Sequence, residues 1–141
     1  MLPLRYASHW RFASFILLAI VLLATLIPAA WLWQDSGDVI SWLLHADKWA
    51  HGVTFAVLAI WFSGQYRRTS YWRIAVGLIA FGMLIEVIQA TLSYRSAEWL
   101  DMFADVAGIT VGLAAALAGL GGWSVWVENR FGRDGVEVDA G

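Results

Sequence analysis

Residues 71–112 read YWRIAVGLIAFGMLIEVIQATLSYRSAEWLDMFADVAGITVG. Two apolar runs flank a short polar turn, and ionisable residues gather around that turn. The first run, about residues 71–92, carries Glu86 near its end; the second, about 100–123, opens on Asp101 and Asp105 and is uncharged thereafter. A helix of about 20 apolar residues crosses a bilayer. Each run therefore predicts a transmembrane helix, and together they predict a helical hairpin with its polar end at one leaflet.

Working outward, residues 12–33 read FASFILLAIVLLATLIPAAWLW, without a charge. This run is longer than the apolar core of a signal peptide, and no small-x-small cleavage pattern follows, so it reads as an uncleaved anchor. Pro28 predicts a kink, which neighbouring helices can accommodate in a membrane. A shorter run, residues 47–64, opens on Asp47, Lys48 and His51. The expected architecture is all-α: a four-helix transmembrane bundle over residues 1–127, followed by a polar, Gly-rich tail over 128–141.

Composition agrees. Of 141 residues, 60% are hydrophobic and 14% charged, more apolar surface than a small soluble core can hide. A net charge of −2 implies no nucleic-acid partner. The absence of cysteine excludes disulfides, thiolate metal sites and a cysteine nucleophile.

Orientation follows the Lys/Arg bias. With the N-terminus inside, Arg5, Arg11, Arg67, Arg68, Arg73, Arg130 and Arg133 all fall on the cytoplasmic side, leaving only Lys48 and Arg95 outside. Both termini are then expected in the cytoplasm and the polar cluster at the periplasm or cell exterior, in a multi-pass membrane protein. Ten tryptophans fall near the two expected interfaces, Trp10, Trp61, Trp72, Trp123 and Trp126 at the inner one, and read as an aromatic belt.

The outward ends of the spans collect the chemistry. Asp47 and His51 are i,i+4, as are Asp101 and Asp105; Glu86 and Gln89 are i,i+3, so each pair shares a helix face. Gly108 and Gly112 extend the Asp101/Asp105 face with a G-x-x-x-G spacing that admits a neighbouring backbone. These faces should point inward and converge. Glu86 lies about 9 Å from the end of its span at 1.5 Å per residue; alone there it would be protonated, and Lys48, Arg95 or His51 is the available counter-charge. Arg95 is expected to pair with Glu86 or Asp101.

The same residues resemble a known family. DKWAHGVTFAVL (47–58) is similar to the D-K-x-x-H-x-x-x-F motif of VanZ-like membrane proteins, and EVIQ (86–89) to their E-x-x-Q. YRSAEWLDMFADVAGITVG (94–112) resembles their R-x(5)-D-x-x-A-N-x-x-G-x-x-x-G, with Asp105 where that pattern commonly has Asn. The resemblance implies an envelope connection, since the family is named for a teicoplanin-resistance protein.

Several readings stay open. Asp47, Lys48, His51, Glu86, Gln89, Arg95, Asp101 and Asp105 form the candidate ligand-binding set, with Lys48 and Arg95 as anion partners. The ligand would be a lipid-linked or glycopeptide-type molecule. As a catalytic site, His51 with Glu86 or Asp105 would be an acid–base pair. The carboxylates and imidazole would also suit a hard metal, but their spacing names none. No H-E-x-x-H, G-x-S-x-G or P-loop is present, so binding is favoured over catalysis and no cofactor is expected. Surrounding membrane lipids are expected partners in any case. The rival reading is a structural or accessory subunit of a larger membrane complex, with the cluster acting as interhelical glue. Such contacts contribute about 0.6 kcal/mol each on average, a small return for eight residues.

Overall fold

A computed structural model describes residues 1–26, 40–92 and 99–131, and of residues 40–47 the helix path alone. Every regular element there is helical. The long helices are α1 (Ala7–Leu26), α2 (Ile40–Gln65), α3 (Tyr71–Ala90, entered through a 3₁₀ turn at Arg68–Ser70) and α4 (Trp99–Ala115). A π-type turn, Ala116–Leu120, ends α4, and a short α5 (Trp123–Phe131) follows.

The burial pattern is that of a protein built for lipid. Phe12, Phe15, Ile20 and Leu23 of α1, Val53 and Val57 of α2, Val76 and Val87 of α3, and Phe103 and Val111 of α4 are all exposed. In water, so much outward apolar surface would drive association. Conversely, Ser14, His51, Gln65, Glu86, Gln89, Asp101 and Asp105 are buried. Hydrocarbon imposes this arrangement, because polar groups there must face the bundle interior. Among the described residues, three helical stretches are long and apolar enough to cross a membrane: Ala7–Leu26, Arg68–Ala90 and Trp99–Leu120.

The central contact is between α2 and α4, the most extensive in the molecule. It follows from the stripe Asp101, Asp105, Gly108, Ile109 and Gly112, all buried and spaced at helical period. A Cβ added at Gly108 would meet the Gly52 carbonyl oxygen, and one at Gly112 the Ala56 carbonyl oxygen. The backbones touch there, as small-x-x-x-small spacing allows. Lys48 and His51 meet Asp101 and Asp105, so α2 and α4 run parallel. Against them α3 runs antiparallel, with Tyr71 beside Gly121 and Gly82 beside Asp105. Phe55, Leu58, Ile74, Leu78, Ile85 and Ile109 fill the space between these three helices.

Gly119 (φ +146°) and Gly122 (φ +75°) end α4, adopting backbone angles that a side chain would strain. The chain then folds α5 back over the end of α2. Residues 128–141 were expected to form a loose tail. Instead α5 runs on to Phe131, because Glu128 has partners in the N-terminal segment. Its carboxylate accepts the N–H groups of Arg5 (2.7 Å) and Tyr6 (3.0 Å) and the Trp10 indole N–H (2.8 Å). The remainder of the tail lies outside the described residues.

Partial desolvation pushes the Glu128 pKa up. The hydrogen bonds from Tyr6, Arg5 and Trp10, with the Arg5 charge, outweigh it and hold the group below its ordinary value of 4.5. Ionised Glu128 therefore adds stability that is complete above that ordinary value and is lost as pH falls through the lower folded value. Glu128→Gln should melt at a lower temperature than the parent at pH 7, and the gap should close on acidification. A gap that stays constant down to the acid limit would show that the carboxylate charge does not hold the N-terminus.

Candidate functional site

Where the first turns of α4 meet the middle of α2, the Lys48–Asp101 ion pair and the His51–Asp105 contact form successive rungs. Lys48 Nζ lies 3.4 Å from Asp101 Oδ1, with Asp101 buried and the lysine partly exposed. One turn deeper, His51 Nδ1 lies 3.0 Å from Asp105 Oδ1, and both side chains are at least 96% buried. Below them the Gly52/Gly108 backbone crossing begins. The rungs exist because Lys48 and His51 are i,i+3 on α2 and Asp101 and Asp105 are i,i+4 on α4, so two parallel helices in contact present matching faces. His51 Nδ1 and Asp105 Oδ1 lie within hydrogen-bond distance, the imidazole donating wherever the carboxylate is ionised. The contact fixes the ring plane, as carboxylates do for working histidines.

The third helix completes the interior. Gly82 of α3 lets Asp105 Oδ2 sit against its backbone; an added Cβ there would lie 2.6 Å from that oxygen. Glu86, one turn further along the same face, is also buried. His51, Glu86 and Asp105 thus all face the bundle interior, as their spacing predicts.

Gln89 takes another direction. Its side-chain amide donates to the Thr25 carbonyl oxygen at 2.9 Å. It ties α1 to α3 at this end of the bundle. The Asp47 side chain and the whole of Arg95 lie outside the described residues. Asp101, one expected partner of Arg95, has Lys48 beside it. Among the described residues, no three His, Asp or Glu side chains form a group suited to a metal ion.

From the Lys48–Asp101 rung, a groove of about 450 Å³ runs along the α2/α4 seam. Lys48 and Trp49 stand at one end, and Gly52, Ala56, Ala107 and Gly108 line its floor and walls. Small residues make the helices approach closely and leave the outer side of the seam hollow.

Sequence reasoning missed a second polar cluster at the opposite end. Gln65 Nε2 and the Trp61 indole N–H both donate to Ser14 Oγ, each at 2.9 Å, and Ser14 Oγ donates to the Trp10 carbonyl oxygen at 2.8 Å. Trp10, Trp61 and Trp123 pack on one another with ring centroids 5.3–5.7 Å apart. These three tryptophans therefore join α1, α2 and α5, whereas Trp72 and Trp126 are exposed as a belt requires. Gln65, closing the uncharged run that follows His51, was the available signal.

The chain matches the VanZ/LLP1 family over residues 5–120. That stretch takes in α1 to α4 with both ion-pair rungs, and the chain belongs to this family. With three helices able to cross a bilayer, it is a multi-pass membrane protein of the VanZ/LLP1 type. No curated protein and no solved structure matches the chain.

Proposed function

We propose that this protein binds an amphiphilic cell-envelope molecule, of lipid-linked or glycopeptide type, at the outer leaflet of a bacterial inner membrane. In this reading α2 is a fourth span, both termini are cytoplasmic, and the Lys48/Asp101 and His51/Asp105 rungs face outward. The observation that carries it is the join of two environments. A partly exposed cation, Lys48, stands over buried ion pairs and at the head of an apolar groove along the α2/α4 seam. A polar headgroup fits the first environment and a chain the second. Family membership supports the envelope setting, and seven of nine basic residues on one side support the orientation. A role in glycopeptide susceptibility belongs to the same reading.

A polyprenyl phosphate added to the purified protein in detergent is the direct probe. The parent protein should retain it. Ala107→Trp, at an exposed position lining the groove, should abolish retention. Lys48→Gln should weaken it about tenfold, the loss expected for one charge-assisted hydrogen bond. Equal retention by all three proteins would reject the groove as the binding site. Orientation has its own check: a cysteine at Ser93 should react with an impermeant reagent outside intact cells, and labelling only after lysis would invert the topology.

The rival reading, an accessory subunit of a larger membrane complex, uses the same groove to seat a partner helix between small residues. Co-purification of a second membrane protein that Ala107→Trp releases would favour it.

A further inference from the structure

A second cavity lies far from the ion-pair rungs, between α1, α2 and α3. Its volume is about 320 Å³, within the range of small-ligand sites, about 300–1,000 Å³. Leu18, Phe62, Ile74, Leu78 and Phe81 give it apolar walls, and Tyr66, Ser70 and Arg73 stand at its polar end. From Arg73 to Phe81 the wall of α3 descends about 12 Å at 1.5 Å per residue. The space is thus elongated along the helix, with a cation at its head.

Gly77 lines this cavity, and its lack of a side chain has no packing reason. Cβ atoms added at Gly64, Gly82, Gly108 and Gly112 would each collide with a neighbour, but one at Gly77 meets nothing within 4 Å. A mid-helix glycine costs about 1 kcal/mol relative to alanine. Here its effect is to leave the cavity open.

The charged side chain in the lining is Arg73, and the sequence around it is basic. Arg67, Arg68 and Arg73 fall within seven residues, and no acidic residue occurs between Asp47 and Glu86. Arg73 also stacks on the Trp72 ring, 5.3 Å from its centroid, a cation–π contact at the level where membrane tryptophans sit.

We propose that this cavity holds one acyl chain of an anionic phospholipid, with the lipid phosphate on Arg73. In a bilayer an apolar space of this size is unsuited to water, and an acyl chain supplies the wall contacts that a void forfeits. The Arg73 guanidinium sets the headgroup preference, accepting phosphate and repelling a cationic choline. The site is separate from the groove beside α4 and does not depend on the function proposed for it.

Native mass spectrometry of the full-length protein in detergent tests this, with phosphatidylglycerol and phosphatidylcholine of identical acyl chains as competing probes. The parent protein should retain one phosphatidylglycerol in preference to phosphatidylcholine. Gly77→Leu, which fills the cavity, should lose that lipid while melting no lower than the parent. Gly77→Ala, which leaves most of the space, should keep it. Arg73→Gln should still hold a lipid but without headgroup preference. Undiminished retention by Gly77→Leu would overturn the cavity as the chain site. Absence of any preference in the parent, or a preference unchanged in Arg73→Gln, would overturn the assignment of the headgroup to Arg73.

Discussion

Gly108→Ala is expected to destabilise the protein by an amount at or above the upper end of the about 1–3 kcal/mol typical of overpacking, and Gly108→Leu to leave little folded protein in the membrane. An added Cβ at this position runs into the Gly52 carbonyl oxygen, with the Gly52 carbonyl carbon at 2.9 Å and Cα at 3.0 Å. Backbone cannot rotate away as a side-chain tip can, so α2 and α4 must separate. Separation also stretches the Lys48–Asp101 and His51–Asp105 rungs above the crossing, which rest on the same approach. Gly77→Ala is the matched control, since it meets open space and gains helix propensity. Thermal melting of the three proteins in one detergent decides. If Gly108→Ala melts with the parent, the crossing does not join the two helices.

The α4 stripe was legible because it is periodic within a single helix. Asp101, Asp105, Gly108 and Gly112 recur at three- and four-residue steps, and their shared burial follows from that spacing alone. The inward placement of His51 and Glu86 was legible for a related reason, the cost of ionisable groups in hydrocarbon. Which acid His51 would take was not legible. Glu86 and Asp105 were both available, and the choice depends on α2 and α4 running parallel and touching, so that residues 54 positions apart come level. Asp101 likewise sits beside Lys48, a partner fixed by that register rather than by local spacing.

Gln89 shows the limit of shared faces. It lies on the Glu86 side of α3, yet three residues further along the axis it meets α1, where the Thr25 carbonyl accepts its amide. Glu128 shows another limit. The stretch from Glu128 onward reads as a polar tail, because nothing within it announces that Arg5, Tyr6 and Trp10 supply three donors to one carboxylate. Contacts between residues 118 or more positions apart leave no periodic trace.

Replacing His51 separates chemistry from architecture. His51→Gln should keep normal abundance and melting behaviour, since the glutamine amide can still donate to Asp105. It should nevertheless lose most of any envelope-linked activity, such as a glycopeptide-sensitivity phenotype, because an amide cannot titrate near neutral pH or act as a general base. His51→Leu should behave differently. It leaves the buried Asp105 carboxylate without this donor, a loss of about 3–5 kcal/mol for a broken buried pair. Combining it with Asp105→Leu should restore part of that stability, so the two changes should not add. Activity should stay low in the double variant even where folding recovers. If activity instead tracks folded protein across all of these variants, the pair is interhelical glue. Full activity in both His51→Gln and Glu86→Gln would remove the acid–base and metal readings together and place the accessory-subunit reading ahead.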